Sequence, residues 1–101
     1  MFRVFSLFAA LALPLAAQFD DAYAHLHAKR YEDSALAFQS ALSGDPSNRN
    51  ARLDYAYLLL RMGETEIARE QIEKVLAQVP DENLTLELAY LCYETNRRPH
   101  A

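Results

Sequence analysis

A short pattern recurs three times along this chain at nearly constant spacing, and it restricts the possible folds more than any other feature. Each copy contains an apolar residue, an acidic residue, a variable residue, alanine and tyrosine, in that order. The copies are Phe19-Asp20-Asp21-Ala22-Tyr23, Leu53-Asp54-Tyr55-Ala56-Tyr57 and Leu86-Glu87-Leu88-Ala89-Tyr90. Because they are about 34 and about 33 residues apart, we expect stacked units of one supersecondary type, over residues 18–48, 49–82 and an incomplete 83–101.

The second unit predicts two helices of different character. Residues 52–62 place Leu53, Ala56, Tyr57 and Leu60 on one side of a helix, and Tyr55, Leu58, Leu59 and Met62 on the other. Residues 66–79 instead form one apolar stripe, with charged residues facing water. Each unit is therefore expected to be an inner helix followed by a one-sided outer helix. The predicted helices cover roughly residues 19–28, 32–43, 50–61, 66–78 and 84–95, with no strands.

The residues between the helices support this division. Pro46 and Pro80 follow the outer helices, and a residue that precedes proline disfavours helical geometry. Gly63 and Asn96 occupy equivalent places after the second and third inner helices, where both tolerate the left-handed conformation that ends a helix. Lys29 has the same place in the first unit and fits it less well.

The period and its marker residues resemble those of the tetratricopeptide repeat family. The positions that carry the resemblance are Tyr31, Phe38, Ala41, Asp45 and Pro46 in the first unit and Ala56, Gly63, Ala68, Val75 and Pro80 in the second. The family's usual tryptophan is absent, and Ser34 stands where alanine is common. The resemblance covers residues 18–101 and implies an all-α fold, a short right-handed solenoid whose inner helices line a concave, ligand-binding groove.

The resemblance also indicates candidate binding residues. The groove would be lined by Phe19, Tyr23, Leu53, Tyr57, Leu60, Leu86, Tyr90 and Tyr93. Such aromatic residues pack against apolar side chains or sugar rings while the tyrosines retain a hydroxyl for hydrogen bonding, so a protein, a peptide or a glycan is the expected partner. The alternative is that the tyrosines pack between neighbouring helices. The family's carboxylate-binding subset uses basic residues and asparagine where this chain has Phe19, Tyr23 and Asp54, which disfavours that ligand class.

The first seventeen residues have the organisation of a secretory signal. One basic residue, Arg3, precedes an apolar stretch from Val4 to Leu15, and the small residues Ala16 and Ala17 follow. The stretch is shorter than the ~20 residues of a spanning helix. We therefore expect cleavage before Gln18 and a secreted or periplasmic protein. The alternative is an uncleaved membrane anchor formed by residues 1–17, the only case in which membrane contact is expected.

Other functional classes receive little support. A formal net charge of -4 without a basic run disfavours nucleic-acid binding. Cys92 is the single cysteine and cannot form an internal disulfide. His25 and His27 point away from each other on a helix, so no metal site is expected. The sequence contains no phosphate-binding loop, nucleophile elbow or HExxH motif, and we expect neither a catalytic residue nor a cofactor.

The last residues align with the start of a third outer helix, which suggests the N-terminal part of a longer repeat array. The alternative is a capping third inner helix, although its apolar residues surround the helix and would leave one side bare. Self-association through this unfinished unit is expected. The leading functional hypothesis is a non-enzymatic scaffold in an envelope assembly or export system. Its alternative is the recruiting domain of a larger secreted enzyme, with catalysis beyond residue 101.

Overall fold

The computed structural model describes the backbone of residues 15–97 and the side chains of residues 18–94, and this part of the chain contains five α-helices and no strand. The helices are α1 Leu15–His27, α2 Tyr31–Gly44, α3 Arg49–Arg61, α4 Thr65–Gln78 and α5 Glu82–Arg97. All five correspond to predicted helices, and every end but the first lies within about two residues of its expected place. The all-α helix–turn–helix repeat is confirmed.

At both limits of the described residues, a helix extends beyond its predicted range. Helix α1 already includes Leu15, Ala16 and Ala17, ahead of the predicted start at residue 19, and these residues are strong helix formers. Helix α5 continues through Asn96, which was expected to end it. Asparagine tolerates the left-handed conformation without requiring it. Most of the predicted signal, residues 1–14, lies outside the described residues. Within residues 15–97, no helix has the length and hydrophobicity needed to cross a membrane.

The turns after α1 and α3 have the same backbone geometry. Lys29 has a φ of 62° and Gly63 a φ of 82°, so both adopt the left-handed conformation that the sequence assigned to this place. In the first turn the Arg30 amide donates to the His25 carbonyl at 2.9 Å, and in the second the Glu64 amide donates to the Leu59 carbonyl at 2.8 Å. The two helical hairpins therefore reverse direction by one mechanism with different residues.

Replacing Lys29 with glycine is expected to raise the free energy of unfolding by about 1 kcal/mol, because a side chain in the left-handed region costs about 1–2 kcal/mol. Urea denaturation measures this change. Gly63→Ala is the matched control and should lower stability, since an added Cβ meets no atom within 4 Å and backbone strain alone opposes it. A loss of stability in Lys29→Gly would show that the lysine side chain stabilises the turn.

The chain divides into two compact units, Met1–Asp45 and Pro46–Ala101. In the first unit α1 packs against α2, and Ala22 and Phe38 are fully buried between them. Ser34 is also fully buried, and its hydroxyl donates to the Ala22 carbonyl at 2.8 Å. Its departure from the family's usual alanine is therefore accommodated, because a buried hydroxyl that is hydrogen-bonded carries little penalty.

The core of the second unit joins α3, α4 and α5. Its buried members are Ala56, Ile72, Val75, Leu84 and Leu91, with Leu53, Leu60, Leu76 and Leu88 half-buried against them. Two side chains define the ends of the connecting segments: the Asn48 carboxamide accepts a hydrogen bond from the Ala51 amide at 3.1 Å, and the Asp81 carboxylate accepts one from the Leu84 amide at 3.0 Å. These N-terminal caps explain where α3 and α5 begin.

Candidate binding surfaces

In the first unit, the two predicted groove residues are at least partly buried, and one of them contacts the outer helix of the same unit. Phe19 is buried. Tyr23 is half-buried, and its ring meets Phe38 edge-on with centroids 5.0 Å apart and an interplanar angle of 84°. This geometry is favourable for an aromatic pair. Tyr23 therefore contributes to packing between α1 and α2, whether or not a ligand also meets its exposed part.

In the second unit, the predicted groove residues fall into two groups. Leu53 and Leu60 are half-buried and pack against the core cluster. Tyr57 is 44% exposed, and its hydroxyl donates a hydrogen bond to the Glu87 carboxylate at 3.1 Å. Tyr57 is thus the aromatic residue of α3 whose hydroxyl end is accessible to solvent, and it lies beside α5.

The surroundings of Tyr57 are acidic. Partial burial raises the pKa of its phenol, the hydrogen bond to Glu87 raises that pKa further, and the negative charges of Glu87, Asp81 and Asp54 act in the same direction. Deprotonation would add a fourth negative charge to this surface. The phenol therefore remains neutral at physiological pH, as a hydrogen-bond donor among carboxylates. We call this group of residues, Asp54, Tyr57, Asp81 and Glu87, the tyrosine–carboxylate surface.

One arginine partly balances this charge. The Arg49 guanidinium lies 3.4 Å from the Asp81 carboxylate, with both side chains partly exposed. Asp81 also accepts the Leu84 amide, while its backbone carbonyl accepts a hydrogen bond from the Thr85 hydroxyl at 2.8 Å. The start of α5 is therefore fixed by several contacts, and the Asp81 carboxylate projects from a well-anchored segment.

The remaining candidates lie on α5 and are strongly exposed. Leu86 is 70%, Tyr90 64% and Tyr93 60% exposed. Ala89 is exposed too, although its equivalents Ala22 and Ala56 are fully buried. The tyrosine of the repeated pattern thus has three different environments, in contact with Phe38, bonded to Glu87, and open to solvent.

His25 and Cys92 have ordinary surroundings. The Nδ1 atom of His25 accepts a hydrogen bond from the Nε of Arg30 at 3.0 Å. Cys92 is half-buried. Among the residues that the structure describes, no group of three or more histidine, cysteine, aspartate or glutamate side chains is arranged to hold a metal ion.

Sequence reasoning missed a buried arginine. The Arg52 guanidinium donates to the Gln71 side-chain oxygen at 2.6 Å and to the Pro46 carbonyl at 2.9 Å, and it joins the connecting segment, α3 and α4. Burial raises the pKa of the neighbouring Tyr55, and the charge of Arg52 opposes this rise. The sequence feature that could have indicated this contact is Gln71, an uncharged polar residue beside the apolar stripe of α4.

Comparison with known proteins gives one result. A family model described as tetratricopeptide repeat matches residues 25–85, more than half of the chain. No curated protein and no solved structure matches the chain significantly.

Proposed function

Because this chain belongs to the tetratricopeptide repeat family, we propose that it is an extracytoplasmic protein-binding scaffold in an envelope assembly or export system. Repeats of this family generally mediate protein–protein interactions. The supporting observation in the structure is the tyrosine–carboxylate surface, an accessible aromatic residue held between two helices. The positions of Tyr57 and Glu87 are set by the fold, which reduces the entropic cost of binding a partner.

The chemistry of this surface favours a peptide segment with hydrogen-bonding and basic groups. Tyr57 offers an aromatic face, and Asp54 and Glu87 offer carboxylates that attract cations. A peptide held by its C-terminal carboxylate is disfavoured, because like charges repel when they face each other. A glycan that stacks on the tyrosine ring is the alternative ligand.

Binding is tested with a displayed library of random peptides, together with an array of oligosaccharides as the alternative. The selected peptides should bind the chain, and Tyr57→Ala should weaken their binding by about tenfold or more, as expected for an aromatic anchor. Leu36→Ala is the matched control, since Leu36 is 65% exposed on α2 in the other unit. Binding of oligosaccharides alone would replace the peptide by a glycan. Binding that is unchanged in Tyr57→Ala would contradict the assignment of this surface.

The location is proposed from the first seventeen residues. Arg3, the apolar stretch and the pair Ala16-Ala17 support export followed by cleavage before Gln18. Expression in a bacterial host, with fractionation and N-terminal sequencing of the exported product, provides the test. A mature product that starts at Met1 and sediments with membranes would favour the anchor, and retention in the cytoplasm would exclude both forms.

A second function is a recruiting domain of a larger secreted enzyme, with the catalytic part beyond residue 101. The two proposals share the binding surface and differ in the kind of domain that they place after residue 101. A complete reading frame with further units of about 34 residues supports the scaffold, whereas a catalytic domain in that region supports the enzyme.

A further inference from the structure

The start of α5 contains the acceptor motif for N-linked glycosylation. Asn83, Leu84 and Thr85 match the order asparagine, any residue except proline, and serine or threonine, which marks the places where a glycan is attached to exported proteins. Of the four asparagines in the sequence, Asn83 alone has a hydroxyl residue two positions later. The chain therefore offers one position for this modification.

The side chain of the acceptor asparagine lies at the surface. Asn83 is exposed, whereas its neighbour Leu84 is buried in the core of the second unit. The same place is exposed in a unit that is followed by further helices, because Asn50, the equivalent residue 33 positions earlier, is exposed although α4 and α5 come after it. A bulky, hydrated group on Asn83 is thus compatible with the packing of the repeat.

The folded structure engages the other polar group of the motif. The Thr85 hydroxyl donates a hydrogen bond to the Asp81 carbonyl at 2.8 Å, and the Leu84 amide donates one to the Asp81 carboxylate at 3.0 Å. The threonine hydroxyl is the group that completes the motif. A transferase therefore meets an accessible motif before α5 forms, or when its first turn opens, since the ends of helices open at little cost.

We propose that Asn83 is an acceptor site for an N-linked glycan, attached to the exported chain by an oligosaccharyltransferase. The donor is an oligosaccharide linked to a lipid through a diphosphate. The bond between C1 of the first sugar and the diphosphate oxygen breaks, and the diphosphate leaves with the electron pair. A new bond joins C1 to Nδ2 of Asn83, and Nδ2 releases one proton to a base of the enzyme. This modification goes beyond the proposed binding function and rests on the export that is part of it.

Export in a host with the modifying enzyme tests the proposal. The full chain is produced in bacterial cells that contain a periplasmic oligosaccharyltransferase and its lipid-linked donor. Bacterial enzymes of this class select an acidic residue two positions before the asparagine, and Asp81 has that place. After digestion of the exported product with trypsin, Asn83 lies in the peptide of residues 75–97. Mass spectrometry should show this peptide with the added mass of one oligosaccharide.

Substitutions within the motif identify the acceptor. Asn83→Gln and Thr85→Ala should abolish the modified peptide, because each removes one group of the motif, whereas Thr85→Ser should retain it. Both positions are exposed, so the helical circular dichroism of the variants should be unchanged. Asn50→Gln is the matched control, since Asn50 is exposed at the equivalent place but has no hydroxyl residue two positions later. It should be modified as fully as the parent chain.

A second version of the chain separates modification from export. In this version residues 18–101 follow an established secretion signal. Modification of this version alone would support the acceptor site and would show that residues 1–17 do not direct export. An exported product of this version that lacks the added mass on residues 75–97 would overturn the proposal. A modified peptide that persists in Asn83→Gln would overturn it as well, because the glycan would then be attached to another residue.

Discussion

Replacing Phe38 with alanine is expected to lower the free energy of unfolding by about 3–5 kcal/mol, the usual loss for a large aromatic residue removed from a core. Phe38 is fully buried, and its ring is the surface against which Tyr23 packs. Two contributions therefore disappear together, the transfer of the ring out of water and the contact between the two rings. Chemical denaturation followed by circular dichroism measures the change.

The matched control for this substitution lies two residues away on the same helix. Leu36 is 65% exposed, so Leu36→Ala should change the free energy of unfolding by less than about 0.5 kcal/mol. Equal losses in Phe38→Ala and Leu36→Ala would mean that α2 presents a different side to α1. The register of the first unit would then have to be revised.

A leucine in place of Ala56 is expected to lower the free energy of unfolding by about 1–3 kcal/mol, through overpacking. Ala56 is fully buried in the cluster with Ile72, Val75, Leu84 and Leu91. A larger side chain would push α3 away from α4 or force core residues out of their preferred rotamers. A thermal melt, checked by denaturant titration, measures the effect.

The repeat provides an internal control for this second prediction. Ala89 has the same place in the repeated pattern but is exposed, so Ala89→Leu makes the same chemical change without a core to disturb. Its effect on the melting temperature should be close to zero. If Ala56→Leu were as harmless as Ala89→Leu, the site around Ala56 would contain unfilled space, and α3 and α4 would not approach each other closely at this position.

The helices could be predicted because their determinants are local. The apolar stripe of residues 66–79 and the proline after each outer helix depend only on neighbours along the chain. The spacing between Lys29 and Gly63 predicted a left-handed turn even where the residue was lysine, and the structure confirms it. The predicted end of α5 at Asn96 was wrong because asparagine tolerates both the helical and the left-handed conformation, and no neighbouring residue decides between them.

The candidate binding residues could be predicted only as a set of equivalent positions. Because Tyr23, Tyr57 and Tyr90 have the same place in the repeated pattern, the sequence predicted the same surroundings for all three. Their surroundings differ because different side chains of other helices lie beside them. Phe38 meets Tyr23, and Glu87 meets Tyr57. These partners are about 15 and about 30 positions away along the chain, and helix periodicity holds no information about contacts at that distance. The tyrosine–carboxylate surface therefore emerged only from the three-dimensional structure.

The burial of Arg52 also provides a way to measure local unfolding of the second unit by proteolysis. Trypsin cleaves after arginine, and the bond on the C-terminal side of Arg52 lies in a helix whose guanidinium is engaged by Gln71 and Pro46. Cleavage there requires local opening of α3 and release of both contacts, so its rate follows the population of the opened form when opening and closing are fast. A short digestion, with the fragment ending at Arg52 quantified by mass spectrometry, would thus measure how often this unit opens under native conditions.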